Sequence, residues 1–521
     1  MSELLGNLVL GFETALLPAN LAYCFLGVLL GTLIGVLPGI GSLAAVSMLL
    51  PVSFYLSPEA AIVMLAGVYY GAEYGGSTAA ILLNLPGTPS SAVTAIDGNP
   101  LAKKGRAGVA LFITTIASFA GGTFGIVLLI ALAPTLAEMT LVFGPAEYFS
   151  MMVLGLIGAA TITGGSPAKG LAMVLLGLAL GTVGTDVNSG TARFTLGALE
   201  LYDGVSLVAL AMGLFGVAEI IQSIHTGGAD QIRQKVRLRE MAPTSQDMKQ
   251  AGLPMARGAV IGSAIGILPG AGQTMAAFFA YAFEKIVSRS KNLFGTGHIP
   301  GIAAPEAANN AAVQSAFIPT LTLGVPGSAT MAIMLGALLI HGVAPGPSLL
   351  NLNPHIFWGL VASFWIGNLL LLILNIPLIG LWVRLLQIPY RFLYPAIICL
   401  ICVGVYSVNL SVFDIGLVLL FGVIGYFMRL TGFDPAPLVV GFVLGPIMEE
   451  NLRRAMLIGR GDPAIFVDRP ISFWLLVVSA LMLVWTVFSF IRTGAGAPSN
   501  EVSSTSSNST GENSQKRQSD E

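Results

Sequence analysis

Apolar residues are arranged along the chain in runs long enough to cross a lipid bilayer. A transmembrane helix needs about 20 predominantly apolar residues. The clear runs cover 107–133, 145–163, 168–186, 204–224, 356–384, 392–408, 411–428 and 471–491. Less regular apolar stretches cover 20–53, 60–86, 257–283, 311–345 and 435–448. The pattern predicts an all-α polytopic membrane protein with about 11–13 membrane elements, some of which could re-enter the bilayer instead of crossing it.

Two segments interrupt this apolar pattern. The longest polar interior segment, 225–256, carries five cations: Arg233, Lys235, Arg237, Arg239 and Lys249. Such a segment is typical of a cytoplasmic loop that follows the positive-inside rule, and a surface for lipid or a partner is the alternative. The segment 493–521 is rich in Ser, Asn, Thr and Gly and is predicted to be disordered.

The chain contains an internal repeat built on Pro-Gly motifs. Residues 34–41 (IGVLPGIG) and 265–272 (IGILPGAG) agree at six of eight positions, and their prolines, Pro38 and Pro269, are 231 residues apart. Each copy is followed by a second Pro-Gly motif, within 83–90 (LNLPGTPS) and 322–329 (TLGVPGSA). Two matched pairs in the same order indicate a twofold duplication.

The duplication and the polar segments together predict the organisation of the chain. It comprises an N-terminal segment 1–19, a first transmembrane repeat 20–224, a cytoplasmic basic loop 225–256, a second transmembrane repeat 257–470, a C-terminal transmembrane helix 471–492 and a disordered tail 493–521.

Loop charges indicate that the two repeats have opposite orientations. Three loops of the first repeat carry Glu59; then Lys103, Lys104 and Arg106; then Glu138 and Glu147. The matching loops of the second carry Lys285, Arg289 and Lys291; then no Lys or Arg over 341–355; then Arg384 and Arg391. Because Lys and Arg loops face the cytoplasm, this alternation predicts an inverted-topology repeat with Pro-Gly-broken helices or re-entrant hairpins.

Composition narrows the function classes. Of the residues, 55% are hydrophobic and 10% are charged, against about 25% charged in ordinary soluble domains. The formal net charge of -2 argues against a nucleic-acid partner. The four histidines show no catalytic or metal-binding spacing, so we predict no enzyme activity, no cofactor and no structural metal.

The Pro-Gly breaks are the predicted substrate site. Pro and Gly end a helix inside the membrane, and the N-terminus of the next half-helix offers free N–H donors with a partial positive charge. Ser and Thr hydroxyls follow the breaks, and no Lys or Arg lies within a few residues of one. We therefore expect helix ends and neutral donors to hold an organic carboxylate. The candidate substrate-binding residues are Ser42, Asn84, Pro86, Gly87, Thr88, Ser90, Ser91, Gln273, Thr274, Pro326, Gly327, Ser328 and Thr330.

A site without cations favours cotransport with Na⁺ or H⁺. The candidate coupling-ion residues are Gly39, Gly41, Glu73, Gly270, Gly272, Glu306, Asn309 and Asn310. Carboxylates within the membrane are costly and usually functional. The structural alternatives are a kink or close-packing point for each break, a backbone hydrogen bond for each hydroxyl, and a helix cap for each glutamate. Asp97, within Asp-Gly-Asn-Pro, is predicted to lie in a turn.

Four stretches carry a family resemblance: 35–41 (GVLPGIG), 75–89 (GGSTAAILLNLPGTP), 301–310 (GIAAPEAANN) and 323–330 (LGVPGSAT). Over about 20–470 the chain resembles the large membrane subunit of the tripartite tricarboxylate transporters, the TctA family. The resemblance implies a multi-pass secondary transporter of the bacterial inner membrane that takes up citrate or related carboxylates with a cation gradient. It also implies two partners, a small membrane subunit and a periplasmic substrate-binding protein. The alternatives are a transporter of another small organic anion without partner subunits, a membrane enzyme, and a channel or scaffold.

Overall fold

Helices account for most of the described residues in this computed structural model, which describes residues 2–140, 142–162, 166–186, 189–225, 238–268, 270–386 and 390–494. Over residues 2–225 the helices are α1 (Ser2–Ala15), α2 (Pro18–Val36), α3 (Gly41–Ser53), α4 (Pro58–Leu83), α5 (Ser91–Leu101), α6 (Ala107–Thr140), α7 (Pro145–Ile162), α8 (Pro167–Gly181), α9 (Leu207–Ala211) and α10 (Ala218–His225). π-Helical turns at Ala102–Arg106 and Met212–Val217 join α5 to α6 and α9 to α10. A short antiparallel ribbon, β1 (Gly184–Thr185) and β2 (Ala192–Arg193), follows α8.

The rest of the chain continues in the same way. Its helices are α11 (Ser245–Gly266), α12 (Gly272–Val287), α13 (Pro300–Ser315), α14 (Phe317–Leu323), α15 (Ala329–Ile340), α16 (Pro347–Leu352), α17 (Pro354–Asn375), α18 (Ile379–Leu385), α19 (Tyr390–Asn409), α20 (Val412–Leu430), α21 (Ala436–Ile458), α22 (Ile465–Asp468) and α23 (Pro470–Gly494). Helix α11 begins at Ser245, within the predicted basic loop, because Thr244 and Asp247 form a capping box. Most of the remainder of that loop, 226–237, and the tail beyond Gly494 lie outside the described residues.

The apolar helices make this a multi-pass membrane protein by length and composition. The described helical stretches that meet both criteria for a full crossing are Pro18–Val36, Ser91–Leu136, Pro354–Asn375 and Val412–Leu430. Shorter apolar helices include Gly41–Ser53, Pro167–Gly181, Ala329–Ile340 and Pro470–Trp485. The all-α prediction is confirmed, apart from the small ribbon, whereas the number of crossings stays a prediction.

All four predicted breaks are helix ends in the structure. The first Pro-Gly motif separates α2 from α3, and its copy, whose Pro269 lies outside the described residues, separates α11 from α12. The second motif separates α4 from α5, and its copy separates α14 from α15. The chain takes left-handed backbone conformations at these ends, with φ 57° at Asn84 and φ 70° at Gly324. The residues at each break therefore determine where the helix ends, because Pro lacks a backbone N–H donor and Gly tolerates positive φ.

Stripes of glycine bring two pairs of helices into close contact. A Cβ added at the glycines of α2 would overlap carbonyl oxygens of α4, at the pairs Gly27–Met64, Gly31–Val68 and Gly35–Ala72. A Cβ at the glycines of α11 would overlap carbonyl oxygens of α13, at the pairs Gly258–Ala304, Gly262–Ala308 and Gly266–Ala312. Both stripes repeat every four residues, as small-residue packing of membrane helices requires. The same helix-packing arrangement thus occurs once in each half of the chain.

Loops from the two halves meet at opposite ends of this bundle. At one end, named here the basic end, Arg106 pairs with Asp247 at 2.6 Å and Lys104 donates to the Thr296 carbonyl at 2.5 Å. At the other, the far end, His355 Nε2 lies 3.1 Å from a Glu59 carboxylate oxygen.

Candidate functional site

A cavity of about 980 Å³ lies where the four broken segments meet. Its wall includes the N-termini of α3 and α12 and the first turn of α15, together with the turn before α5. Small-molecule sites occupy roughly 300–1,000 Å³. Helix N-termini present N–H donors and a partial positive charge, so the three helix starts around this cavity favour an anion.

Backbone hydrogen bonds hold the two breaks of the first half together. Gly39 N–H donates to the Pro86 carbonyl at 3.2 Å, and Gly41 N–H donates to the Gly87 carbonyl at 3.0 Å. Gly87 N–H in turn donates to Gly76 O at 3.2 Å. A Cβ at Gly87 would overlap the Gly35 carbonyl oxygen, so only glycine fits there. These N–H groups are therefore used within the protein, and the donors left for a ligand come from the helix starts.

Glu73 is a buried carboxylate held by donors from both halves of the chain. It is 0% exposed and lies within α4. Its Oε1 accepts from Ser42 Oγ at 2.5 Å and from Gln273 Nε2 at 3.0 Å, and its Oε2 accepts from Ser90 Oγ at 2.6 Å. Ser42 and Gln273 both line the cavity, so Glu73 lies directly behind its wall.

The donors to Glu73 follow the internal repeat. Ser42 and Gln273 are separated by the same 231 residues as Pro38 and Pro269, and both donate to the same carboxylate oxygen. Tyr69, also of α4, donates to Gln273 Oε1 at 3.0 Å and extends the network. The repeat thus supplies equivalent donors from each half, whereas the carboxylate comes from the first half alone.

The rim of the cavity carries two cations, Lys169 of α8 and Arg429 of α20. Lys169 Nζ donates to Thr431 O at 2.6 Å and lies 4.8 Å from the centroid of the Phe433 ring. Arg429 pairs with Glu219 and donates to the Gln222 side chain at 3.0 Å. The expectation of a site without cations was wrong for the cavity as a whole, because both residues reach it from segments far from any break.

Sequence reasoning did not select these two cations, although a signal was present. Lys169 is the one basic residue between Pro145 and Asp186, and Arg429 ends the apolar run 411–428. Isolated charges within apolar segments are functional candidates.

The structure brings together twelve of the predicted site residues on the cavity wall: Gly39, Gly41, Ser42, Pro86, Gly87, Thr88, Gly270, Gly272, Gln273, Thr274, Ser328 and Thr330. Ser91 lies behind the wall, where its Oγ donates to Thr88 O at 2.8 Å. Ser328, on the wall, accepts from Met331 N–H at 3.3 Å through its hydroxyl. Pro326 and Gly327 are buried at the turn before α15. Asn84 is exposed at the end of α4 and does not line the cavity.

Glu306 forms a second buried carboxylate site, away from the cavity wall. It is 1% exposed and lies within α13. Its Oε1 accepts from the hydroxyls of Ser77 and Thr94, and its Oε2 accepts from Ser118 Oγ at 3.0 Å.

Two asparagines follow Glu306 on α13. Asn310 Nδ2 donates to the Glu306 backbone carbonyl at 3.2 Å. Asn309 is buried, and its amide has no hydrogen-bond partner among the described residues.

Asp97 does not lie in a turn, contrary to the sequence prediction. It lies inside α5 and is 0% exposed. Its Oδ1 accepts from the backbone N–H groups of Gly295, Gly297 and His298 at 2.8–2.9 Å, and its Oδ2 accepts from Tyr281 Oη at 3.0 Å. These bonds from the loop before α13 outweigh the local turn preference of Asp-Gly-Asn-Pro.

Within the described residues, no group of three or more His, Cys, Asp and Glu side chains could hold a metal ion. An apolar helical bundle with a cavity at paired helix breaks is typical of membrane transport proteins. The chain belongs to the tripartite tricarboxylate transporter TctA family, whose family model matches residues 21–440. The resemblance seen in the sequence is therefore confirmed, and the family is one of transporters and not of enzymes.

Two proteins of Agrobacterium vitis are similar to this chain. One, described as an uncharacterized 52.8 kDa protein in the TAR-I ttuC' 3' region, is 50% identical over 492 residues, which cover 94% of this chain and 98% of the relative. The other, described as an uncharacterized protein in the TAR-II ttuC' 3' region, is 49% identical over 231 residues, which cover 44% of this chain and 96% of the relative. No solved structure matches the chain.

Proposed function

We propose that this chain is the large membrane subunit of a binding-protein-dependent secondary transporter that takes up tricarboxylates or related organic carboxylates. The observation that carries this proposal is the convergence of the four broken segments on one cavity. Partial positive charge at helix starts, hydroxyls such as Thr88 and Thr330, and the rim ammonium of Lys169 together suit a ligand with several carboxylates.

Cation coupling is the second part of the proposal, with Na⁺ or H⁺ as the coupling ion. Glu73 supports it, because an ionised carboxylate buried behind the wall is costly unless a cation or proton compensates it. Its donors Ser42 and Gln273 also line the cavity, so occupation of the cavity and of Glu73 can influence each other. The carbonyls at Gly39, Gly41, Gly270 and Gly272 remain candidate ligands for Na⁺.

We further propose that the two repeats are inverted in the membrane. The loop after the second break of the first half, 102–106, contacts the region of 288–298, which follows the first break of the second half. Conversely Glu59, after the first break of the first half, pairs with His355, after the second break of the second half. This pattern of contacts supports inversion, in which corresponding loops lie at opposite ends. The positive-inside rule then assigns the basic end to the cytoplasm.

The partners proposed are a small membrane subunit and a periplasmic substrate-binding protein, in keeping with the family to which the chain belongs. The location proposed is the bacterial inner membrane. The second candidate is a cation-coupled transporter of another small organic anion that works without partner subunits. Uptake by this chain alone would favour that candidate.

The test is uptake of labelled citrate by right-side-out membrane vesicles that contain all three subunits. A Na⁺ gradient or a pH gradient is imposed across the vesicle membrane. We expect concentrative uptake that one of these gradients drives. Thr88→Val and Thr330→Val each remove a cavity hydroxyl with little change in shape, and each is expected to weaken apparent affinity by about 10- to 100-fold. Thr182→Val, at the end of α8 and outside the cavity wall, is the matched control. Uptake indifferent to both gradients would remove the coupling claim.

A further inference from the structure

The Glu306 site shares two of its supporting helices, α4 and α5, with the Glu73 site. Ser77 follows Glu73 by four residues on α4, and Thr94 follows Ser90 by four residues on α5. Four residues advance a helix by about 6 Å. Two sets of contacts therefore follow one another along the interface between α4 and α5. The first is Glu73–Ser90, and the next is formed by Glu306 with Ser77 and Thr94. The step from Glu73 to Glu306 runs toward the basic end, since α5 continues into Lys104 and Arg106.

Hydroxyl oxygens surround the Glu306 carboxylate. Its side-chain partners among the described residues are three hydroxyls, each from a different helix: Ser77 of α4, Thr94 of α5 and Ser118 of α6. A hydroxyl can donate one hydrogen bond and accept two. The same three groups can therefore donate to the ionised carboxylate or, after one hydroxyl rotates, accept from the protonated acid. These three hydrogen bonds use three of the about four acceptor positions of the carboxylate.

No described cation neutralises Glu306. The ionisable side chains that interact with it electrostatically are Glu73 and Tyr74, both of α4. Among the other helices packed on α13, α5 contributes Asp97, which is bonded to the 295–298 loop. Helices α11 and α12 contribute Arg257 and Glu284, which pair with each other at 2.6 Å, and α12 adds Tyr281, bonded to Asp97. The described side chains of α6 include no ionisable group. The ionised form of a buried carboxylate is costly when no cation lies beside it.

A polar stripe continues from Glu306 along α13. Asn310 and Gln314 follow at intervals of four residues, and both are at most 2% exposed. Asn310 Oδ1 and Gln314 Oε1 have no hydrogen-bond partner among the described residues. Buried acceptors of this kind are normally satisfied by water or an ion. The stripe therefore offers acceptor sites for proton-carrying water beside the carboxylate.

We propose that Glu306, which is surrounded by the hydroxyls of Ser77, Thr94 and Ser118, is a proton-binding site distinct from the substrate cavity. It lies four helical residues nearer the basic end than Glu73. The role of Glu306 in coupling rests on the proposed function. Substrate and Na⁺ or H⁺ bind at the cavity and Glu73, while Glu306 gains and loses a proton during the transport cycle. No bond other than the carboxyl O–H forms or breaks.

The test is infrared difference spectroscopy of the purified full-length chain in lipid nanodiscs over a pH series. We expect a carbonyl band of a protonated, dehydrated carboxylic acid that disappears on deprotonation. Glu306→Gln should abolish this band, whereas Glu59→Gln, at the far end, should leave it. Ser118→Ala keeps the carboxyl but removes one donor to the ionised form, so the midpoint should move by about tenfold in proton concentration. A band that is unchanged in both Glu306→Gln and Ser118→Ala would overturn the proposal.

Transport measurements separate this proposal from the proposed function. If wild-type vesicles take up carboxylates and Glu306→Gln retains the wild-type pH dependence of uptake, the coupling role of Glu306 is wrong although the function stands. If the infrared band depends on Glu306 but the wild-type protein transports no carboxylate, the proton site stands and the proposed function fails. Should Glu306→Gln not fold, the midpoint shift of Ser118→Ala decides the proton site.

Discussion

Replacing Glu73 by Gln exchanges a buried carboxyl group for an amide and changes almost nothing else. Gln has nearly the same size, and its carbonyl oxygen can still accept from Ser42 and Gln273, which donate at 2.5 Å and 3.0 Å. Its amide group then faces Ser90, whose hydroxyl can rotate to accept. We therefore expect the free energy of unfolding to change by only about 1 kcal/mol.

The effect on the coupling ion is expected to be much larger. Two unit charges about 4 Å apart attract by about 4 kcal/mol at an effective dielectric constant of about 20. Loss of that attraction corresponds to about a 1,000-fold fall in affinity for a metal cation. If the coupling ion is a proton, Gln cannot take it up at all, so either ion gives the same direction of change.

The assay compares gradient-driven accumulation with substrate exchange at zero gradient. Glu73→Gln should lose accumulation but keep exchange, because the helix starts and hydroxyls of the cavity remain. Glu59→Gln makes the same substitution at the far end, where Glu59 pairs with His355, and should accumulate substrate normally. Accumulation by Glu73→Gln with an unchanged dependence on Na⁺ and pH would refute the coupling role of Glu73.

Three further predictions concern the rim, the packing and the topology. Lys169→Gln should raise the half-saturating substrate concentration about 2- to 5-fold, as loss of a partly exposed ion pair does, and an unchanged value in uptake assays would remove Lys169 from substrate binding. Gly262→Ala should destabilise the protein by about 1–3 kcal/mol through overlap with α13, measured as thermal stability in detergent, whereas Gly252→Ala on the same helix, with nothing within 4 Å, should not. Leu352 is near His355 at the far end, and Lys291 belongs to the 288–298 region at the basic end. In whole cells a membrane-impermeant thiol reagent should label Leu352→Cys but should reach Lys291→Cys only after permeabilisation. Equal labelling of both would contradict the inverted arrangement.

The helix breaks could be predicted from the sequence because their causes are local. Pro38 and Gly39 are adjacent in the chain, and the removed donor and the freedom at positive φ act within one turn. The same holds for the regular spans, such as 145–163, which is α7 (Pro145–Ile162) in the structure. The occurrence of two matched motif pairs in the same order also predicted that the breaks would share a site.

The chemistry beyond the breaks depends on contacts between distant segments. Lys169 and Arg429 are 260 residues apart and reach the rim only after α8 and α20 have packed. The Glu73–Gln273 bond joins residues 200 positions apart. Asp97 shows the converse: a local turn signal was overridden by three backbone donors from the 295–298 loop. Such contacts leave no periodic trace in the sequence.

Equilibrium binding of labelled citrate to the purified chain, with its stoichiometry, tests the central claim that both halves build one anion site. We predict one saturable site per chain, weakened about 10- to 100-fold both by Thr88→Val from the first half and by Thr330→Val from the second, and unaffected by Thr182→Val. Two sites per chain, or sensitivity to variants of one half alone, would contradict the account.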